Sequence, residues 1–101
     1  MNTINAIAKV RFATAKPQHV QLGRNGELAV ELICLEAGQS LEIRSGQWSY
    51  YVVAGSANVT ANGQASRIGP GEVAMGEADE RHVLANAGEG RLILLATGTH
   101  Q

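Results

Sequence analysis

Five residues of this 101-residue chain, Glu42, Arg44, Trp48, Tyr50 and His82, have the types and spacing to do chemistry. An imidazole titrates near neutrality, so His82 is a candidate for moving a proton or contacting a ligand; the plainer alternative is a hydrogen-bonded interior histidine. Glu42 and Arg44 stand two residues apart, which on a strand puts both on one face. There they either neutralise each other as an ion pair, or Arg44 turns its planar fork toward a carboxylate or phosphate. Trp48 and Tyr50 also share a parity, as core filling or as a stacking wall for a flat or sugar-like ligand. A further arrangement joins His82 to Glu42 and to Glu77 or Asp79 as oxygen partners around a metal ion. Otherwise the charged run Glu77–Arg81 is a solvated turn.

Other chemistries lack their residues. Cys34 is the sole cysteine and sits in an apolar run, which rules out an internal disulfide and a Cys-cluster metal site and leaves an inert thiol. No Ser, His and Asp set forms a nucleophile elbow, and Gly69-Pro70-Gly71 lacks the Lys-Ser or Lys-Thr sequel of a phosphate loop. His19 and His100 lie near the chain ends. Eight Lys and Arg against nine Asp and Glu give a net charge of −1, without the cationic surplus a nucleic-acid partner demands. No apolar run nears the roughly 20 residues that span a bilayer, and Lys9 and Arg11 interrupt the place of a signal peptide's apolar core. A soluble, cytoplasmic protein with no membrane partner is the expectation.

The elements that must position these residues read as short strands, because apolar and β-branched runs recur every 8–12 residues and no long stretch keeps a helical period. The predicted strands are Val10–Thr14, Val20–Gly23, Leu28–Leu35, Ser40–Ile43, Ser49–Ala54, Ala57–Ala61, Gln64–Ile68, Glu72–Met75, Arg81–Ala85 and Arg91–Thr97. Asn25-Gly26 and Asn62-Gly63 read as the central dipeptides of two-residue hairpins. Asn2–Ala8 stays unassigned. A single all-β domain over residues 1–101 results, an antiparallel sandwich or barrel in which closure disposes of exposed strand edges, with a jelly roll as the first choice.

Two stretches within Glu36–Thr97 resemble the cupin superfamily, particularly its small single-domain members. Tyr51-Val52-Val53-Ala54-Gly55 followed by Ala57-Asn58-Val59-Thr60 is similar to the cupin run in which a strand ends at a Gly turn and the next returns. Gly71, His82 and Asn86 fall on the spacing of the second cupin motif, with Glu77 and Asp79 at its Pro and second Gly positions. Ala37-Gly38-Gln39-Ser40 is similar to the opening of the first motif. The resemblance implies a double-stranded β-helix, a jelly-roll barrel.

In family members that hold a metal, the first motif supplies two His and a Glu that join the second-motif His. Counting back from Gly55 puts Trp48 at the Glu position, with Glu42 and Arg44 at the His positions; anchoring on Gly38 instead deletes the His-bearing turn. On that frame Glu42, Arg44, Trp48, Tyr50, Val52, Ala54 and His82 face the barrel interior. An indole cannot coordinate a cation and a guanidinium repels one, so a standard cupin metal is disfavoured and no cofactor is expected. The first functional expectation is a cupin of unassigned activity with a degenerate, metal-free site. Its ligand would be a small molecule, anionic where Arg44 engages it, bound by Arg44, Trp48 and Glu42. The alternatives are a metal-free enzyme resembling cupin sugar epimerases, and a metal-dependent cupin dioxygenase or isomerase with non-standard ligands. In the epimerase-like enzyme His82 is the base and Tyr50 the acid on opposite substrate faces, and Asp79 or Glu42 orients the imidazole. A homodimer is expected, as in many small cupins, because Leu28–Leu35 is apolar on both parities apart from Glu31 and Tyr51 and Val53 point outward.

Overall fold

The computed structural model describes residues 1–44, 46–77 and 80–99, so Asp79 and His100 lie outside the described residues. The described residues form strands β1 (Gln18–Asn25), β2 (Leu28–Leu35), β3 (Ser40–Ile43), β4 (Gln47–Ala54), β5 (Ala57–Ala61), β6 (Gln64–Ile68), β7 (Val73–Met75), β8 (His82–Asn86) and β9 (Leu92–Thr99). Two antiparallel sheets result, in the orders β1-β2-β9-β4-β7 and β3-β8-β5-β6. Leu35, Val52, Leu84, Leu92 and Leu94 pack between the sheets in one apolar core, the arrangement of a jelly roll.

Turn chemistry cuts the strands as expected, with one shift. Asn62 and Gly63 both take positive φ, 53° and 75°, as the two central residues of the β5–β6 hairpin, which is what a type I′ turn requires. At the β1–β2 hairpin Asn25 pairs with Leu28, so the loop residues are Gly26 and Glu27, not Asn25 and Gly26. Gly26 carries the positive φ, 61°, as the first central residue.

Val10–Thr14 is not a strand. A 3₁₀ turn at Ile7–Lys9 leads into an extended segment without ladder partners. Side chains hold it instead: Gln39 Nε2 donates to the Ala13 carbonyl at 2.8 Å and Arg91 stacks 4.5 Å over the Phe12 ring, while Arg11 lies near enough to Cys34 to act on its thiol. This segment covers the outer face of β2, where Leu32 and Cys34 are fully buried. The cover that the doubly apolar strand demands comes from the chain itself, so β2 supplies no argument for a second subunit. Burial also pushes the Cys34 thiol up from its ordinary value, in keeping with an inert role.

Candidate functional site

β4 and β8 lie in different sheets, and strand pairing fixes which of their side chains meet across the interior. Trp48, Tyr50 and Val52 alternate inward on β4 and are buried, while Tyr51 between them is exposed. On β8, His82 pairs with Ile43 and Ala61, and Leu84 pairs with Leu41 and Val59, so His82 and Leu84 face the core. Tyr50 and His82 therefore converge: the Tyr50 hydroxyl lies 2.6 Å from His82 Nε2, with the rings edge to face. Both side chains are all but fully buried.

The other imidazole nitrogen settles the tautomer. His82 Nδ1 lies 2.9 Å from the main-chain carbonyl of Glu80, which only accepts, so Nδ1 carries the proton. In the neutral ring Nε2 is then an acceptor, and the Tyr50 hydroxyl donates to it. Burial, reinforced by the negative charge of Glu31, pushes the Tyr50 phenol well above its ordinary value and keeps that proton in place. The imidazole is oriented by the main-chain carbonyl of Glu80, a residue of the run expected to be a solvated turn, and not by Glu42, which pairs with Arg44 and Arg81; Asp79 lies outside the described residues. The Glu80 carboxylate itself accepts from Asn62 Nδ2 at 3.0 Å.

A cavity of about 380 Å³ opens beside this pair, bounded by Val59, Ala61, Gln64, Ser66 and Ile68 of the four-stranded sheet and by β7. Tyr50 also borders a second cavity of about 320 Å³, lined by Glu31, Ile33, Glu42, Ile43, Arg44, Trp48 and Ala96. The predicted single pocket is thus two, and Arg44, Trp48 and Glu42 belong to the one that His82 does not line.

The inward placement of Glu42 and Arg44 needs correction. On β3 it is Leu41 and Ile43 that pack against the core. Glu42 and Arg44 lie on the opposite parity, at the exposed rim, where Glu42 pairs with Arg44 at 3.2 Å and with Arg81 at 3.4 Å. The plainer of the two expectations, an ion pair, describes them. Ala54 also leaves the inward set: a bulge after Val52 brings it opposite Ile93, between the inward-facing Leu92 and Leu94. Trp48 lies inward as expected, over Gly98, whose Cα leaves room for the ring: a Cβ there would stand 2.6 Å from the indole and collide with the Gln47 carbonyl oxygen.

The donor set does not fit the metal that the resemblance brings to mind. Both His82 nitrogens are engaged by Tyr50 and Glu80, Glu42 is held outside by two guanidiniums, and no three His, Cys, Asp or Glu converge among the described residues. Glu77 is exposed. The opposite-face arrangement of an epimerase is absent as well, because a 2.6 Å hydrogen bond leaves no substrate-sized gap between Tyr50 and His82. Asn86, third of the motif residues, is architectural: its side chain donates to the Leu35 and Gly90 carbonyls and accepts from the Gly88 amide.

No helix among the described residues is long and apolar enough to cross a membrane. No family model matches the chain, and no curated protein matches it significantly. Solved structures do. A conserved Klebsiella pneumoniae protein with a double-stranded β-helix domain superposes with a TM-score of 0.87 at 18% identity, over 99% of this chain and 90% of that one. A Thermus thermophilus protein gives 0.90 at 18% identity, over 99% and 98%. A cupin superfamily protein of Desulfitobacterium hafniense gives 0.81 at 21% identity, over 100% and 94%. Two antiparallel sheets closing on one core, with a second-motif histidine facing inward from β8, together with these superpositions establish that the chain has the cupin fold, the double-stranded β-helix.

Proposed function

We propose that this protein binds a small, uncharged, hydrogen-bonding molecule in the cavity beside Tyr50 and His82, and does so without a metal. The observation that carries the reading is the commitment of both imidazole nitrogens, one to the Glu80 carbonyl and one to the Tyr50 hydroxyl. A histidine so engaged offers no free lone pair to a cation, whereas the Tyr50 oxygen, with its O–H pointed at Nε2, keeps acceptor capacity for a ligand N–H or O–H. Gln64 and Ser66 add an amide and a hydroxyl to a wall otherwise made by Val59 and Ile68. Glu80 is the only charged side chain among the described lining residues, so nothing there attracts an anion. The anionic ligand expected through Arg44 has no cation to meet in this cavity.

The test is a thermal-shift screen that sets small polyols and amides against carboxylates and sugar phosphates, since a ligand selective for the folded chain raises Tm by mass action. Uncharged compounds should raise Tm, and Tyr50→Phe should weaken the best of them by tenfold or more. A screen in which only anions stabilise the protein overturns the proposal. So does stoichiometric Fe, Mn, Ni or Zn in protein purified without chelator that vanishes in His82→Ala.

A further inference from the structure

The second cavity has an architecture of its own. Along β9 the inward side chains shrink from Leu92 and Leu94 to Ala96 and Gly98, so the core that is filled at one end of the barrel is open at the other. Two neighbours flank the opening. On β2, Glu31 pairs with Ala96, and on β4, Trp48 pairs with Gly98 and Tyr50 with Ala96. A carboxylate and an indole thus face one cavity across Ala96, with Ile33 and Ile43 completing an apolar wall.

Glu31 is the sole charged residue of an otherwise apolar strand, and it stands on the inward parity with Ile33. Its side chain is 18% exposed, and its contact is with the His19 imidazole at 3.5 Å, a partner 41% exposed that is charged only when protonated. Arg44 and Glu42 also line the cavity, but at its exposed mouth, where they pair with each other at 3.2 Å and offset one another; Arg81, like Arg44 69% exposed, is likewise turned to Glu42. The charge enclosed by this cavity is therefore negative. An enclosed carboxylate is costly to desolvate without a cation, and the face of an indole attracts the same kind of ion.

We propose that this second cavity is a binding site for a small organic ammonium with an apolar body, its cationic nitrogen on the Glu31 carboxylate and its body against Trp48, Ile33 and Ala96. The two cavities share Tyr50 as a wall, but the groups proposed to hold the ammonium, Glu31 and Trp48, line only the second one. An ammonium there also reverses the charge expected of a ligand at Arg44.

Three probes of matched size test it on the intact protein: benzylammonium, benzyl alcohol and benzoate, each titrated at pH 8 and followed by Trp48 fluorescence and by ¹⁵N–¹H shifts of Ala96 and the Trp48 indole. Benzylammonium should bind at least tenfold more tightly than either of the others, with shifts centred on β9 and Trp48. Glu31→Gln, checked for an unchanged fold by its amide spectrum, should lose that tenfold preference while keeping the weak affinity for benzyl alcohol. The proposal is overturned by equal affinity for the ammonium and the alcohol, by a preference for benzoate, or by no binding of benzylammonium at millimolar concentration. Because the probe series needs only the wild-type chain, a Glu31 variant that fails to fold leaves the test intact.

Discussion

The Tyr50 hydroxyl and His82 Nε2, 2.6 Å apart, form a hydrogen bond that spans the interior and ties the five-stranded sheet to the four-stranded one. With Nδ1 donating to Glu80, the bond has one direction in the neutral protein, from phenol to imidazole. Side-chain ¹⁵N spectra at pH 8 should show His82 as the Nδ1–H tautomer with an unprotonated, hydrogen-bonded Nε2. The Nε2–H tautomer would refute this chain of donors.

Removing the hydroxyl leaves a buried acceptor without its partner. Tyr50→Phe should lower unfolding stability by about 1–3 kcal/mol, the cost of an unsatisfied buried polar group. Urea denaturation measures it, and a variant as stable as the parent would mean that the bond is not made in solution.

Burial raises the Tyr50 phenol above its ordinary value in the folded chain, so the unfolded chain is first to lose the proton. Stability from this group is complete below the unfolded value, about pH 10, and declines as pH rises through it toward the folded value. The urea midpoint should therefore fall more steeply above about pH 10 in the parent than in Tyr50→Phe. Parallel profiles would contradict the assignment.

Gly98 admits no side chain while Trp48 lies over it. Gly98→Ala should cost about 1–3 kcal/mol by overpacking, and it should shift the emission of Trp48, the only tryptophan, as the ring is displaced. Unchanged emission and stability would show that the indole rests elsewhere.

Arg44 is an exposed partner of Glu42, which keeps Arg81 when Arg44 is removed. Arg44→Ala should change stability by no more than about 0.5 kcal/mol, as for most surface pairs, and should leave the affinity of an uncharged ligand beside His82 unaltered. A tenfold loss of that affinity would return Arg44 to the site.

We propose that the outer face of the five-stranded sheet pairs with a second copy of itself. Tyr51 lies between Leu95 and Val73 there, Tyr51, Val73 and Met75 are exposed, and the neighbouring outward residues Ser49, Val53, Ile93 and Thr97 carry no charge. A neutral apolar face can meet its own copy without like-charge repulsion. Light scattering at micromolar concentration should give a dimer that Val73→Glu dissociates, and a monomeric parent ends the proposal.

Much of this protein was legible in its sequence because strand alternation and turn chemistry are local. Leu28–Leu35, Ser40–Ile43, Ala57–Ala61 and Gln64–Ile68 have the predicted bounds. Trp48 and Tyr50 share an inward face because side chains on a strand repeat every two residues. The same alternation would have placed Leu41 and Ile43 inward and Glu42 and Arg44 outward; a family frame laid over a motif that had lost its residues reversed the parity. Glu31 signalled itself as a lone charge in an apolar strand.

What the chain order could not disclose is which residues distant in sequence become neighbours. Tyr50 and His82 are 32 positions apart and on different sheets, and only the closure of those sheets brings hydroxyl and imidazole together. The role of the Glu80 carbonyl belongs to the backbone, which carries no side-chain signature. The division of one expected pocket into two, and the covering of β2 by residues before β1, depend on how the sheets and the N-terminal segment pack. Local pattern determined the strands and their faces; long-range packing, which no short window of sequence encodes, decided the partners.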